Sequence, residues 1–339
     1  IGLFSALVEI LLLVIATREI TFASSLDRFT YHASFSAVLV FIGVVSLIEG
    51  RMVKFCLLVT AVLFSVLSQR MTYMTYIRQT ELENDFWWQL SWRIPELEDG
   101  TMVLIHNAGF SAEEDYENFV PLSLIYRRKQ GYVRIISDVL NESTIRAIKT
   151  GSSEDRVVRQ IYLFRDYAKV IAATKPTPKS CLQLIDGTNP IYSPLDYSRI
   201  DEVGFASDLN LIHLDQPGYY PNSNFFGAEP THESWCYAYS QMTLAQQRRE
   251  FAKVAELADE AIAAGYHAED PVEWIPVVQA FAYSGRIEAE TRGYLAILKT
   301  DPYLRYQACG YFRRAGEILE LDEMETAGNR FLIEELCEN

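Results

Sequence analysis

His106 is the first residue whose type could do chemistry, because it follows the β-prone run Thr101-Met102-Val103-Leu104-Ile105, and a histidine at a strand end can act as a base or a ligand. A lone histidine at such a junction is more often structural. The acidic run Glu113-Glu114-Asp115 lacks the alternate spacing of a calcium loop and reads as a solvated loop or a helix start. Asp186-Gly187-Thr188-Asn189-Pro190 supplies a turn, and Asp196, Asp201 and Asp208 are scattered without motif spacing. His213 sits among Leu211, Ile212 and Leu214 in a candidate last strand. Cys56, Cys181, Cys236, Cys309 and Cys337 form neither a metal pattern nor a dense disulfide framework. The last four read as buried small apolar groups, with one disulfide open to them outside the cytoplasm. No Gly-rich phosphate loop, Gly-x-Ser-x-Gly elbow or His-Glu-x-x-His run occurs. No catalytic residue, metal ligand or cofactor set is assigned on these residues, and a hydrolase would rest on His106 and scattered carboxylates alone.

The elements that must position such residues begin in a membrane. Ala33–Ile48 and Val53–Gln69 are apolar runs of about spanning length, uncharged apart from Lys54 at the start of the second, and Glu49-Gly50-Arg51-Met52 between them has the composition of a tight interfacial turn. Arg51 and Lys54 vote that turn into the cytoplasm, which sends the chain outward after Arg70. The opening stretch, apolar to about residue 17 apart from Glu9, has neither a basic n-region nor a cleavage site. It reads as a further span entered part-way along, so the chain is expected to be the tail of a longer multi-spanning protein. The resulting expectation is three membrane helices at about 1–17, 33–48 and 53–69, in a multi-pass cell-membrane protein with its C-terminal domains extracytoplasmic.

From 71 to 95 the spacing of Leu82, Phe86, Leu90 and Ile94 predicts an amphipathic helix that Pro95 stops. Trp87, Trp88 and Trp92 suit the headgroup level of a membrane, and they equally suit plugging this helix onto the domain that follows. Residues 96–215 alternate β-prone runs (101–105, 132–136, 169–173, 181–185) with helical ones (119–127, 139–149), which predicts an extracytoplasmic α/β domain. Residues 216–230, rich in Pro, Gly, Asn and aromatic rings, form a linker. The chain of 339 residues carries a net charge of −15, most of the acidic excess following the membrane segments, and that surface disfavours nucleic acid.

Residues 231–339 are the most regular. Trp274, Val278, Phe281, Gly285, Tyr294, Ile297 and Pro302 fall near the positions that a tetratricopeptide-type hairpin keeps over about 34 residues. A partial copy precedes it, through Trp235, Tyr239, Phe251, Val254, Ala258, Ala261 and Gly265, and a further helix pair follows at 303–319 and 324–335. Trp235, Tyr239, Trp274, Phe281 and Tyr294 are the repeat-packing candidates.

Phe86-Trp87-Trp88-Gln89-Leu90-Ser91-Trp92-Arg93-Ile94-Pro95, Cys181-Leu182-Gln183-Leu184-Ile185-Asp186, Phe226-Gly227-Ala228-Glu229-Pro230 and His232-Glu233-Ser234-Trp235-Cys236-Tyr237 carry a resemblance. Together they resemble the C-terminal region of bacterial multi-spanning GT-C-type glycosyltransferases, similar to dolichyl-phosphate-mannose mannosyltransferases, with tetratricopeptide-like repeats. The resemblance implies a lipid-linked sugar donor and catalytic acids in a first outer loop near the N-terminus; no segment here matches that loop, so no catalytic residue is carried over. Two functions follow. The preferred one is a membrane-anchored extracytoplasmic binding or scaffold module that meets membrane lipid and a protein partner or neighbouring subunit. The alternative is the non-catalytic C-terminal part of such a glycosyltransferase.

Overall fold

The computed structural model describes residues 4, 7, 8, 11, 15, 31–110, 115–126, 135–158, 161–216, 218–287 and 289–337. The chain is 60% helical with a small mixed sheet, and its contacts separate Ile1–Thr80 from a second unit, Glu81–Asn339.

In the first unit, α1 (Tyr31–Ser46) is joined by Leu47–Gly50 to α2 (Arg51–Arg93), a helix of 43 residues. Among the described residues α2 alone is long and apolar enough to cross a membrane, with a mean hydropathy of 1.9 over its most apolar stretch, none of which is buried. The large apolar side chains exposed between Met52 and Ile77 would each forgo about 1.5–3 kcal/mol in water, which a hydrocarbon surrounding removes. The Ala33–Ile48 run lies in the shorter apolar helix α1, and the 1–17 run falls almost wholly outside the described residues.

The 53–69 and 71–95 segments are one helix, not two. Nothing between Gln69 and Thr72 stops a helix, and Pro95 is the first residue that does. The last turns, Phe86 to Arg93, are buried on every face, so they form the central helix of the second unit.

That unit contains a four-stranded sheet, β1 (Met102–Asn107), β2 (Ile136–Asp138), β5 (Val170–Lys175) and β6 (Gln183–Ile185), in the order β2-β1-β5-β6. The β2/β1 and β1/β5 pairs are parallel, and β5/β6 is antiparallel. Strand alternation divides the core. Val103, Ile105, Ile171 and Ala173 pack with Phe86 and Leu90 of α2, with Ile94 just past its end, and with Leu122 and Ile125 of α3 (Tyr116–Ile125). Met102, Leu104, Val170 and Ala172 face the other way, onto Ile145 and Ile148 of α4 (Glu142–Thr150) and onto Ile200 and Val203. Helices therefore cover both faces, as parallel strands require.

An antiparallel hairpin, β3 (Ser153–Val158) with β4 (Ile161–Asp166), lies outside that sheet and outside the sequence expectation, since no Gly or Asn marks its turn. Its Arg165, 1% exposed, pairs with Asp115 before α3 and with Asp138 at the end of β2. The expected last strand near 211–214 is a 3-10 turn at Leu209–Leu211 and a single bridge between Leu97 and Ile212. The 216–230 stretch holds a short helix, α5 (Ser223–Phe226), whose Phe226 is buried against Trp87.

Helices α6 (Trp235–Gln247), α7 (Phe251–Ala263), α8 (Ile275–Tyr283), α9 (Ala289–Leu298), α10 (Pro302–Ile318) and α11 (Glu323–Cys337) share one core. The side chains of Ser234, Asp270 and Asp301 accept backbone N–H groups at helix starts. Gly328 lets α11 meet α8, because a Cβ there would lie 2.2 Å from the carbonyl oxygen of Ala282. All four cysteines of this unit pair, Cys181 with Cys236 and Cys309 with Cys337. This replaces the expectation of free buried thiols, because 55 and 28 residues of intervening chain hid each partnership.

Reduction of either disulfide, or Cys309→Ser, is expected to lower stability by about 2–4 kcal/mol. A thermal melt unmoved by reductant would contradict both crosslinks. Arg165→Met, which removes the cation that Asp115 and Asp138 share, should cost about 3–5 kcal/mol in denaturant unfolding.

Candidate polar cavity

Three parts of the second unit converge on residues 180–193. Gln89 of α2 accepts the N–H of Leu182 at 2.8 Å. Two fully buried carboxylates approach from the other side. Glu273 accepts the N–H of Cys181 at 2.6 Å and the Trp235 indole N–H at 2.9 Å. Asp270 accepts the hydroxyls of Ser180 at 3.2 Å and Ser193 at 2.6 Å, and the Gln183 amide at 3.2 Å. The Cys181–Cys236 disulfide ties the same segment to α6. Burial pushes the Glu273 carboxyl up to about 8, with the neighbouring Asp270 charge adding to it against the hydrogen bonds that Glu273 accepts.

Beside this junction lies a cavity of about 340 Å³, lined by Arg93, residues of the β6 segment and side chains of α6, α8 and α10. Its walls are largely satisfied. Gln246 donates to Gln279 at 2.6 Å, Asn189 donates to the Tyr311 carbonyl at 3.1 Å, and Gln247 donates to the Leu209 carbonyl at 2.9 Å. Burial holds the phenols of Tyr239 and Tyr311 protonated well above their ordinary range. Among the described residues, two residues of the lining each carry a sealed-off polar atom without a hydrogen-bond partner, Nη1 of Arg93 and Oε1 of Gln247. Arg249, also in the lining, holds the left-handed turn between α6 and α7 at φ 62° and donates to the Glu320 carbonyl.

The tryptophans of α2 belong to this unit's core. Trp87, Trp88 and Trp92 are at most 5% exposed, Trp88 donating to the Phe226 carbonyl at 3.2 Å and Trp92 to Glu229 at 2.9 Å. Of the two roles that the sequence left open, the burial favours docking onto the following domain. Trp235, Tyr239, Trp274, Phe281 and Tyr294 do come together, with Trp274 stacked on Tyr294 at 4.4 Å and tilted against Trp235 at 5.0 Å. Sequence reasoning missed Arg93, Asp270 and Glu273; the signal available was charge placed inside otherwise apolar helical runs.

His106 is not alone. It stands opposite Thr174 in the β1/β5 register, with Nδ1 3.3 Å from the Thr174 hydroxyl and 3.4 Å from Asp196 Oδ1. Burial would raise Asp196, but hydrogen bonds from His106, Ser198 and Thr174 outweigh it and hold this carboxyl well below the usual range. The pair fixes the imidazole orientation at the carboxyl end of parallel strands, where open α/β sheets present ligand sites. Asp186 and Asp208 cap turns, accepting the N–H groups of Thr188 and Asn210, while Asp201 and His213 are exposed. Residues 113 and 114 of the acidic run lie outside the described residues, and Asp115 serves Arg165.

No family model, curated protein or solved structure matches the chain.

Glu273 ionises near 4.5 when unfolded but near 8 when folded. Its contribution is therefore fully present below about pH 4.5 and is lost as pH rises through 8, at no more than about 1.4 kcal/mol per pH unit. Glu273→Gln should flatten the decline in denaturant stability between pH 5 and 8. An identical pH profile in the variant would contradict the raised carboxyl.

Proposed function

We propose that this protein is a membrane-anchored extracytoplasmic binding module, its α/β and helical parts forming one ligand-holding unit. The observation that carries the reading is a cavity of about 340 Å³ whose lining includes the buried Arg93. A desolvated charge is costly, and a native fold keeps one where something else completes it. Anchorage is supported by the apolar part of α2, and an outer location by two disulfides together with Arg51 and Lys54 at the opposite flank of that run. In this reading α1 and the segment near 1–17 are further spans, membrane lipid surrounds them, and the helix pairs from 235 to 337 act as tetratricopeptide-like hairpins open to a protein partner.

The GT-C resemblance supports the alternative, the non-catalytic tail of a glycosyltransferase using a lipid-linked sugar. Several of its residues, among them Trp87, Gln89, Cys181, Phe226 and Trp235, are buried packing and docking residues of this unit. These roles suit a binding module equally well, and no further observation favours the enzyme.

Tyr197 is 92% exposed. Tyr197→Cys should react with a membrane-impermeant maleimide in intact spheroplasts; reaction only after permeabilisation would contradict the outer location. Full-length protein purified from its own membrane should release a stoichiometric small molecule on denaturation, detected by mass spectrometry, and a preparation free of any would contradict the binding role.

A further inference from the structure

One face of the hairpin β3/β4 is apolar and open. Val157 stands opposite Tyr162, and Phe164 lies two residues further along β4, so the three side chains share a face. They are 69%, 64% and 48% exposed, while Leu163 and Arg165 on the other face are buried. A two-stranded hairpin is marginal in water by itself, and an open apolar patch marks an interaction surface. Charge is sorted along the hairpin as well. Glu154, Asp155 and Asp166 lie toward its base, with Tyr162 donating to Asp155, whereas residues 156–162 include Arg156 and Arg159 and no acid. In a chain of net charge −15 the outer end of this hairpin is both cationic and apolar, the combination that anionic lipid attracts. A symmetric contact with a second copy would instead bring like charges together.

Connectivity favours the same partner. In the anchored reading, on which this inference rests, the apolar run of α2 ends at Arg70, and Tyr73, Tyr76 and Arg78 suit the headgroup layer. Leu82 follows Arg78 by four residues, at most about 14 Å of chain however it runs. Gly109, just past β1, packs against Leu82, where a Cβ would lie 3.0 Å from the leucine Cβ. The connection that carries Gly109 leads to Asp115, which pairs with Arg165 of β4. The hairpin is thereby tied to the part of the second unit that α2 enters. We propose that the outer end of the β3/β4 hairpin docks on anionic lipid of the anchoring membrane, with Val157, Tyr162 and Phe164 entering the headgroup–acyl boundary and the charges of Arg156 and Arg159 answering lipid phosphates.

The test places an environment-sensitive fluorophore on Val157→Cys in the full chain, with the free Cys56 changed by Cys56→Ser, and reconstitutes it into vesicles of phosphatidylcholine with or without phosphatidylglycerol. With phosphatidylglycerol present, the emission should shift to the blue relative to detergent and be quenched by brominated lipid. High salt should weaken both effects, because the charge attraction is screened. Arg159→Glu should abolish them while leaving the chain in the vesicles. A label that stays quenchable only from the water, or a blue shift indifferent to lipid charge, to salt and to Arg159→Glu, overturns the proposal. So does a shift in detergent that grows with protein concentration, which would assign the face to a second copy. The exposed position makes folding of the Val157→Cys chain the expected result; should it fail, the same label on Tyr162→Cys decides by the same readings. A chain that alkaline carbonate washes out of the vesicles would overturn the anchored reading itself, whereas a retained chain with a water-exposed label overturns the docking alone.

Discussion

Everything in the second unit depends on how residues 180–193 are held. This segment enters the sheet through β6, and its free N–H and hydroxyl groups would be orphaned on burial unless acceptors came to meet them. Asp270 and Glu273, at the start of the 3-10 turn before α8, supply those acceptors. Gln89 meets the same segment from α2. Sheet, helical region and the end of the long helix are thereby bound into one polar junction, sealed by the Cys181–Cys236 disulfide. Two carboxylates so close and so far from water are unfavourable on their own, which is why Glu273 is pushed toward its neutral form.

The cavity follows from the same geometry. Arg93 is the last residue of α2, and Pro95 ends that helix inside the protein, so the guanidinium is delivered to the interior rather than to its surface. A buried guanidinium is costly to desolvate, and in the proposed binding reading its retention there is tied to the cavity beside it.

How much of this was legible in the sequence varies with the range of the interaction concerned. Local signals worked: the β-prone runs at 101–105 and 169–173 became β1 and β5, and the helix pair expected at 303–319 and 324–335 lies at Pro302–Ile318 and Glu323–Cys337. Alternation in Met102–Ile105 even placed those residues on the two cores. Long-range partnerships were not legible. Asp196 meets His106 from 90 positions away, and neither disulfide has a spacing that announces it. The hairpin β3/β4 lacked a turn residue, and the join between membrane run and soluble helix lacked a breaker, so a boundary was expected at 70 where the helix continues. Arg93 was hidden for another reason: arginine at a helix end is ordinary until burial makes it an exception.

The most direct measurement of the account is an experimental density map of the chain isolated from its own membrane, at a resolution that shows side chains and bound small molecules. The account predicts non-protein density in the cavity that Arg93 lines. A closed cavity with Arg93 paired to Asp186 or another protein carboxylate would contradict it.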